Sequence, residues 1–157
     1  MKNYEKRRAN LEADESTSKQ ILVEGSYGIL STVGEDGFPY GVPVNYAYDG
    51  DKIYFHCAKN SGHKQDNILF SDKVCFTVVT DSEVLAEKLD TKYKSVVVFG
   101  TAKKSDANRE HAFKQLLKKY APEFSEFDNK EHKSECEAAD IYEINILKLS
   151  GKIKHQG

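Results

Sequence analysis

Residues 38–48 alternate with a period of two, and the chain turns sharply on either side of them. One face of the run carries Val42, Val44, Tyr46 and Tyr48, and the other carries Pro43, Asn45 and Ala47. Gly34-Glu35-Asp36-Gly37 precedes the run, and the tight hairpin signal Asp49-Gly50 follows it. These features predict antiparallel strands joined by short turns. Because proline cannot donate to a ladder, Pro43 places the run at an edge, a bulge or an irregular rim.

The same reasoning extends along the chain and gives six strands. They are predicted at residues 27–33, 38–48, 52–57, 74–80, 95–103 and 142–149. Residues 81–93 are charged and weakly periodic, so we interpret them as a long connection that includes a helical turn, and residues 121–139 as irregular. Short hairpins with few helices favour a small antiparallel barrel with helices packed outside, which is a mainly β (α+β) fold.

Three helices are predicted around this barrel. The first is capped by Ser16, Thr17 or Ser18 and stops at Gly25, and the second follows Gly62. The third is capped by Ser105 or Asp106. Its apolar stripe is interpreted as core packing and consists of Phe113, Leu116, Leu117 and Tyr120.

Length and composition predict one domain over residues 1–157, in which residues 1–15 form a polar N-terminal extension. A net charge of −2 gives no basic face for nucleic acid. The longest plainly apolar run, residues 96–99, is too short for a membrane span, and the polar start does not resemble a secretory signal. The three cysteines are an odd number without CxxC spacing, which favours a reducing, cytoplasmic setting.

The common catalytic and nucleotide-binding motifs are absent from the sequence. It contains no GxGxxG, GxxxxGK[ST], GxSxG or HExxH. His56 and Cys57 are potential metal ligands, but they are adjacent on a predicted strand and point to opposite faces. We therefore predict no metal site, interpret Cys75 as a small buried hydrophobe, and name no catalytic residue.

The stretch CAKNSGHKQDNILF places cations at an unfavourable position. His63 and Lys64 fall in the first turn of the second predicted helix, beside unpaired N–H groups and the positive end of the dipole. A bound dianion would reverse this cost, with Lys64 and the backbone N–H groups directed at one phosphate and Ser61 adding a hydroxyl. The alternative is that both cations simply face solvent.

Four ordered segments resemble one known family. They are PYGVPVNYAYDGDKIYFHCAKNSGHKQDNI, VCFTVV, YKSVVVFGTAKK and the final INILKLSGK. Together they are similar to the pyridoxamine 5′-phosphate oxidase-related FMN-binding split barrels, in the branch of the nitroimidazole-resistance (Nim-type) proteins. The resemblance implies a six-stranded antiparallel split β-barrel with flanking helices, and a homodimer that holds FMN at the subunit interface.

The resemblance also implies which residues contact the cofactor. Val44 and Asn45 lie on the strand that follows the flavin ring, and His56-Cys57-Ala58 form the strand end near the ring and ribityl chain. His63 and Lys64 stand in the phosphate clamp, with Asn67 one turn further. Ser95 matches a position that reaches the flavin from the other subunit, and Tyr46 and Tyr93 are candidates for the cleft wall. From the residues alone, the alternative for Asn45 is a hydrogen-bonded strand asparagine, and the alternative for His56 is a packed rim histidine.

Two departures from the family pattern bear on function. The clamp carries lysine and histidine where the oxidases use arginine, which predicts a less rigid, non-bidentate grip on FMN. The Arg-Leu-x-Pro close of true pyridoxamine phosphate oxidases is missing, which argues against that activity. The expectation is a flavoprotein reductase that passes electrons from NAD(P)H through FMN to a small acceptor such as a nitro-aromatic. The alternative is a non-enzymatic flavin- or haem-binding module.

Overall fold

The computed structural model describes residues 9–59, 62–124 and 130–155. Eight strands in this part of the chain form one antiparallel sheet: β1 Glu12–Ala13, β2 Gly28–Val33, β3 Pro39–Val44, β4 Tyr46–Tyr48, β5 Lys52–Ala58, β6 Lys73–Leu85, β7 Asp90–Lys104 and β8 Ala139–Lys154. The helices are α1 Glu15–Glu24, α2 His63–Phe70, α3 Arg109–Tyr120 and α4 Lys130–Ala138. None of these helices has the length and apolar character needed to cross a membrane.

The order of the strands explains how the sheet becomes a split barrel. They run β3-β2-β6-β7-β8-β5-β4, with β1 paired to β8. Strands β3 and β4 therefore lie at opposite ends of the sheet, although only Asn45 separates them in sequence. Consecutive Cα atoms are about 3.8 Å apart, so the sheet has to curl until its two ends meet at Asn45. The predicted fold class is confirmed, and the position of Pro43 on an edge strand is confirmed with it.

The strand count differs from the predicted six for two reasons. The single predicted run 38–48 changes ladder partner at Asn45 and becomes β3 and β4, and the short β1 lies within the predicted N-terminal extension. Residues 81–93 were also wrongly predicted as a connection. There β6 and β7 continue as a ribbon joined by a 3₁₀-helix, Ala86–Lys88, which is the predicted helical turn, and the ladder shifts register between Thr80 and Glu83. The ribbon is exposed and is stabilised by strand pairing and by ion pairs such as that between Lys92 and Glu83. Its sequence therefore lacks the alternating apolar residues from which a strand is predicted.

The helix caps show where local reasoning was incomplete. α1 begins at Glu15 because the Asp14 carboxylate accepts the Thr17 N–H at 2.7 Å, and it ends at Gly25 as predicted. α3 begins after Asn108, since the predicted cap Ser105 donates its hydroxyl to Glu143 at 2.6 Å instead. Part of the region predicted as irregular forms α4. The Arg109 guanidinium binds the carbonyls of Cys136 and Ala139 at its end.

Burial is organised on both faces of β5. Ile53, Phe55 and Cys57 point into the main apolar core, whereas Tyr54 packs with Leu116 of α3 on the other side. This alternation confirms that His56 and Cys57 face opposite sides of the strand. His56 shares the face of Tyr54 and is exposed, so it lies on the α3 side of the sheet.

Candidate functional site

The N-terminus of α2 places His63 and Lys64 in the first turn of the helix, as the sequence predicted. Gly62 is the N-cap residue, with φ 128° and ψ 143°, and it has no side chain to accept the first N–H groups of the helix. Its carbonyl accepts the Gln65 N–H at 2.9 Å. His63 is exposed and Lys64 is half-buried in the first turn, together with the acidic Asp66. Ser61 lies outside the described residues.

Lys64 is electrostatically close to the end of β5. The His56 ring keeps some solvent-exposed surface, but its neighbours desolvate it enough to lower its pKa, and the charge of Lys64 lowers this pKa further. Burial raises the pKa of the Cys57 thiol, while Lys64 acts in the opposite direction. The charge of Lys64 therefore acts on both His56 and Cys57 at the end of β5.

Tyr40 joins this group although the sequence analysis did not single it out. Its ring centroid lies 4.2 Å from that of His63, and the two planes are tilted by 31°. Tyr40 stands four residues before Val44 on the same face of β3. This period-two relationship to Val44, a predicted site residue, could have identified Tyr40 from the sequence. Its contact with His63 of α2 could not be predicted, because it depends on the tertiary fold.

Gln65 is buried where β5 meets α2. Its side-chain nitrogen donates to the Ala58 carbonyl at 3.1 Å and to the Asp140 carboxylate at 3.3 Å. Its side-chain oxygen has no hydrogen-bond partner among the described residues. A Cβ on Gly62 would lie 3.5 Å from that oxygen. A buried acceptor without a donor costs about 1–3 kcal/mol, so this oxygen marks a place for a donor beside Gly62.

Two predicted site residues are engaged in packing. The Asn67 amide is buried and donates to the Thr32 hydroxyl at 3.0 Å, which fixes α2 to β2. The Cys57 side chain is buried in the core, with its sulfur 3.7 Å from the Asp140 carbonyl oxygen. Ala58 remains exposed at the end of β5.

Asn45 and His56 open onto one cavity of about 310 Å³ beside α3. Its remaining wall is mostly apolar and consists of Phe113, Leu116, Leu117, Tyr120, Glu135 and Ala139. Leu116 does pack in the core as predicted. The stripe as a whole also forms a cavity wall, and sequence reasoning missed this second role. Val44 is half-buried against the main core at the end of β3.

Ser95 does not join these residues within one chain. It pairs with Lys152 near the end of β8, whereas Ala58, just before α2, pairs with Ala139 at the start of β8. Tyr93 lies on the same distant part of β7, paired with Lys154. Tyr46, the other candidate for the cleft wall, is fully buried in the core.

Comparison with known proteins gives one family match. A sequence model of the family described as pyridoxamine 5′-phosphate oxidase matches residues 14–153. No curated protein matches the sequence. The described residues contain no group of three or more His, Cys, Asp or Glu side chains that could hold a metal ion.

Several solved structures share the fold. Flavocytochrome Anf3 from Azotobacter vinelandii has a TM-score of 0.81 at 21% identity and covers 98% of this chain and 73% of its own. A candidate 5-nitroimidazole antibiotic resistance protein from Bacteroides thetaiotaomicron has a TM-score of 0.73 at 16% identity, covering 89% and 84%. An FAD-binding protein from Mesorhizobium loti has a TM-score of 0.67 at 21% identity, covering 92% and 97%. At these identities the likeness establishes the fold alone.

Proposed function

Since the chain belongs to the pyridoxamine 5′-phosphate oxidase family, we propose that it binds FMN and acts as a flavin-dependent reductase. The observation that carries this proposal is the first turn of α2. Gly62 leaves the N–H groups of the turn without a side-chain cap, and Lys64 adds a positive charge at the same end of the helix. A phosphate dianion satisfies both features at once.

The buried oxygen of Gln65 supports the same cofactor. It lies beside Gly62, close to the proposed phosphate position, and lacks a donor in the described part of the chain. The ribityl chain of FMN carries hydroxyl groups that can donate a hydrogen bond to it.

The remaining contacts are assigned by position. Val44, Asn45 and His56 hold the flavin ring, while the backbone of Cys57 and Ala58 lies near the ribityl chain. His63 and Lys64 hold the phosphate, and Asn67 anchors the helix that presents them. Ser95 lies far from this group along β8, which supports a homodimer in which Ser95 of one subunit completes the site of the other.

The chemistry proposed for the site belongs to the cofactor. Bound FMN supplies hydride and electron transfer from NAD(P)H to a small acceptor such as a nitro-aromatic. The protein's residues bind the flavin, orient it and exclude water. Partial burial and Lys64 lower the pKa of His56, which favours the neutral ring, a form that can hydrogen-bond without adding charge beside the flavin.

A cofactor-binding module without catalytic activity is the second candidate. It is favoured by the fold shared with flavocytochrome Anf3 and with an FAD- and haem-binding protein from Mycobacterium smegmatis, which has a TM-score of 0.77. NAD(P)H consumption by the purified protein with an acceptor separates a reductase from a module. Its absorption spectrum separates flavin from haem by the Soret band. Pyridoxamine phosphate oxidation is the third candidate, disfavoured because the Arg-Leu-x-Pro close is missing.

Replacing Lys64 tests the phosphate assignment. Lys64→Ala removes a charge-assisted hydrogen bond, and we expect the FMN dissociation constant to rise roughly 5- to 150-fold, equivalent to about 1–3 kcal/mol. Quenching of FMN fluorescence on titration measures this constant. Riboflavin, which lacks the phosphate, should bind the variant and the wild type equally.

Lys73→Ala is the matched control, since it removes the same charge from the exposed start of β6 beyond the other end of α2. Its FMN affinity should equal that of the wild type. Unchanged FMN affinity in Lys64→Ala would remove the phosphate assignment, and an equal loss of riboflavin binding would show that the substitution acts through the fold.

A further inference from the structure

Asn45 occupies the one position where the chain passes from one end of the sheet to the other. Val44 pairs with Gly28 on β2, whereas Tyr46 pairs with Phe55 on β5. Strands β3 and β4 have no ladder between them and lie at the two ends of the strand order. Edge strands expose backbone N–H and C=O groups that need other partners. We call the gap between the β3 and β4 ends at Asn45 the split. The backbone conformation of Asn45 therefore depends on the groups that hydrogen-bond across the split.

The hydroxyl of Tyr120 is such a bridge. It accepts the Tyr46 N–H at 2.9 Å, and it lies 2.9 Å from the Tyr46 carbonyl oxygen and 2.7 Å from that of Ser26. A hydroxyl has one hydrogen, which it donates to either of the two carbonyls. Ser26 leads into β2 on one side of the split, and Tyr46 begins β4 on the other. One oxygen atom from α3 thus joins both sides.

Tyr46 itself is held from two further directions. Its hydroxyl donates to the Leu22 carbonyl of α1 at 2.6 Å, and its side chain is fully buried. The Lys119 ammonium lies 3.6 Å from the Tyr46 ring centroid and has no hydrogen-bond partner among the described residues. Burial lowers the pKa of Lys119 to about 8. Lys119 and Tyr120 are adjacent on α3, so this helix contacts the Tyr46 ring through Lys119 and hydrogen-bonds the Tyr46 backbone through Tyr120.

The split lies beside the candidate site. Asn45 precedes the fixed Tyr46 directly, and it lines the same 310 Å³ cavity as His56 and the Tyr120 ring. The backbone at Asn45 has no ladder of its own. Its backbone is therefore constrained through its two neighbours, and one of them, Tyr46, is held by Tyr120 and Leu22.

We propose that Tyr120 is a positioning residue, whose hydroxyl holds the split closed at Tyr46 and so aims the Asn45 side chain into the cavity. This inference rests on the proposed function for its consequence, the orientation of the flavin ring by Asn45. The geometric part stands without a bound flavin.

The test is Tyr120→Phe in the full-length protein, which removes only the hydroxyl. Tyr48→Phe is the matched control, because it removes the same group from a tyrosine on β4, the strand of Tyr46. The Tyr48 hydroxyl donates to the Gly50 carbonyl at 2.8 Å, at the hairpin end away from Asn45. We expect Tyr120→Phe to weaken FMN binding roughly three- to tenfold, as for one lost hydrogen bond, and to shift the midpoint potential of the bound flavin. Tyr48→Phe should change neither quantity.

A double-mutant cycle separates positioning from general stability. In an Asn45→Ala background, Tyr120→Phe should no longer affect FMN affinity, because the side chain that it aims is gone. An effect of the same size in both backgrounds would overturn the proposal. Unchanged affinity and potential in Tyr120→Phe would overturn it as well.

A measurement without flavin keeps this inference distinct from the proposed function. In the apo protein, Tyr120→Phe should accelerate hydrogen exchange of the Tyr46 N–H and shift the side-chain amide resonances of Asn45. If the wild type binds no FMN, the proposed function fails, yet these two signals still decide the positioning role. Unchanged Asn45 resonances in the variant would exclude it.

Discussion

Two effects lower the pKa of His56. Burial lowers the pKa of the imidazole below its usual 6.5, and the Lys64 charge lowers it further. The unfolded chain therefore binds the His56 proton more readily than the folded protein does. The neutral His56 ring therefore contributes to the free energy of unfolding. This contribution is fully present above about pH 6.5 and is lost as the pH falls below that value.

The influence of Lys64 on His56 can be measured directly. Lys64→Ala should raise the pKa of His56 towards 6.5 without reaching it, because burial, the larger cause, remains. A titration of the His56 ring resonances by NMR follows this change in the apo protein. Lys73→Ala should leave the titration unchanged. The same pKa in wild type and Lys64→Ala would show that the two side chains are not neighbours.

Residue types at the site were partly predictable from the sequence. Lys64 and His63 were found because a cation in the first turn of a helix is locally unfavourable, and that rule needs only the sequence. Tyr40 and Gln65 were missed, because their partners, His63 for one and Ala58 and Asp140 for the other, are set by the packing of α2 against β3, β5 and β8.

The start of α3 is fastened to the sheet by one buried carboxylate. Glu143 of β8 accepts hydrogen bonds from the Ser105 hydroxyl at 2.6 Å and the Asn108 amide at 2.9 Å, and from Lys52 of β5 at 3.1 Å. Burial alone would raise the pKa of Glu143. The hydrogen bonds from Ser105, Asn108 and the nearby lysines outweigh it and lower the pKa to about 2.

This carboxylate should make stability depend on pH in the acid range. Its pKa falls from 4.5 in the unfolded chain to about 2 in the folded one, so its contribution is present above pH 4.5 and is lost as the pH falls towards 2. At about 1.4 kcal/mol per pKa unit, the contribution is about 3 kcal/mol. Glu143→Gln should lower the free energy of unfolding by about that amount at pH 7, and the difference from the wild type should shrink by more than half at pH 3.

Urea denaturation at the two pH values measures both quantities. Glu83→Gln is the matched control, because Glu83 pairs with Lys92 on the exposed ribbon and should change stability much less at either pH. A difference for Glu143→Gln that stays constant between pH 7 and pH 3 would contradict the assignment of the low pKa.

Elements were predicted best where one face is buried. β2 and β5 agree with the predicted runs within one residue at each end, since alternation reports burial. The β6–β7 ribbon failed, because its stability comes from pairing of exposed strands and ion pairs rather than from an apolar face. The caps of α1 and α3 were misplaced, because several neighbouring Ser, Asp and Asn residues could serve and tertiary partners chose between them.

The distance of Ser95 from α2 is a property of the whole molecule. If the proposed dimer forms, each site combines Lys64 of one subunit with Ser95 of the other. The outer face of α2 also carries Leu69, 83% exposed, and Phe70, 59% exposed. Burying such side chains between two copies would stabilise a dimer by about 1.5–3 kcal/mol for each fully covered residue.

Mixed dimers test the shared site. Lys64→Ala and Ser95→Tyr should each impair FMN binding as homodimers, the second by blocking the cleft of the neighbouring subunit. A dimer of one chain of each kind should regain one intact site, half the wild-type stoichiometry, because one cleft then contains both wild-type residues. FMN content of tag-selected mixed dimers, with sedimentation to confirm the dimer, measures this.

The control places both substitutions in one chain and pairs it with a wild-type chain. Each cleft of that dimer contains one altered residue, so neither should bind FMN normally. Equal FMN content in the two kinds of mixed dimer would contradict a site shared between subunits, and a monomeric wild type would exclude it.

The sequence by itself determined the strand-rich fold class, the alternating faces of the core strands and the position of His63 and Lys64 in the first turn of α2. Each of these follows from interactions between residues close in the chain. Only the tertiary structure decided the split at Asn45, the hydrogen bonds of Tyr120 to both of its sides, the ring contact of Tyr40 with His63 and the second role of the α3 stripe. These features join segments far apart in sequence, and local periodicity carries no information on which distant backbone group a side chain will satisfy.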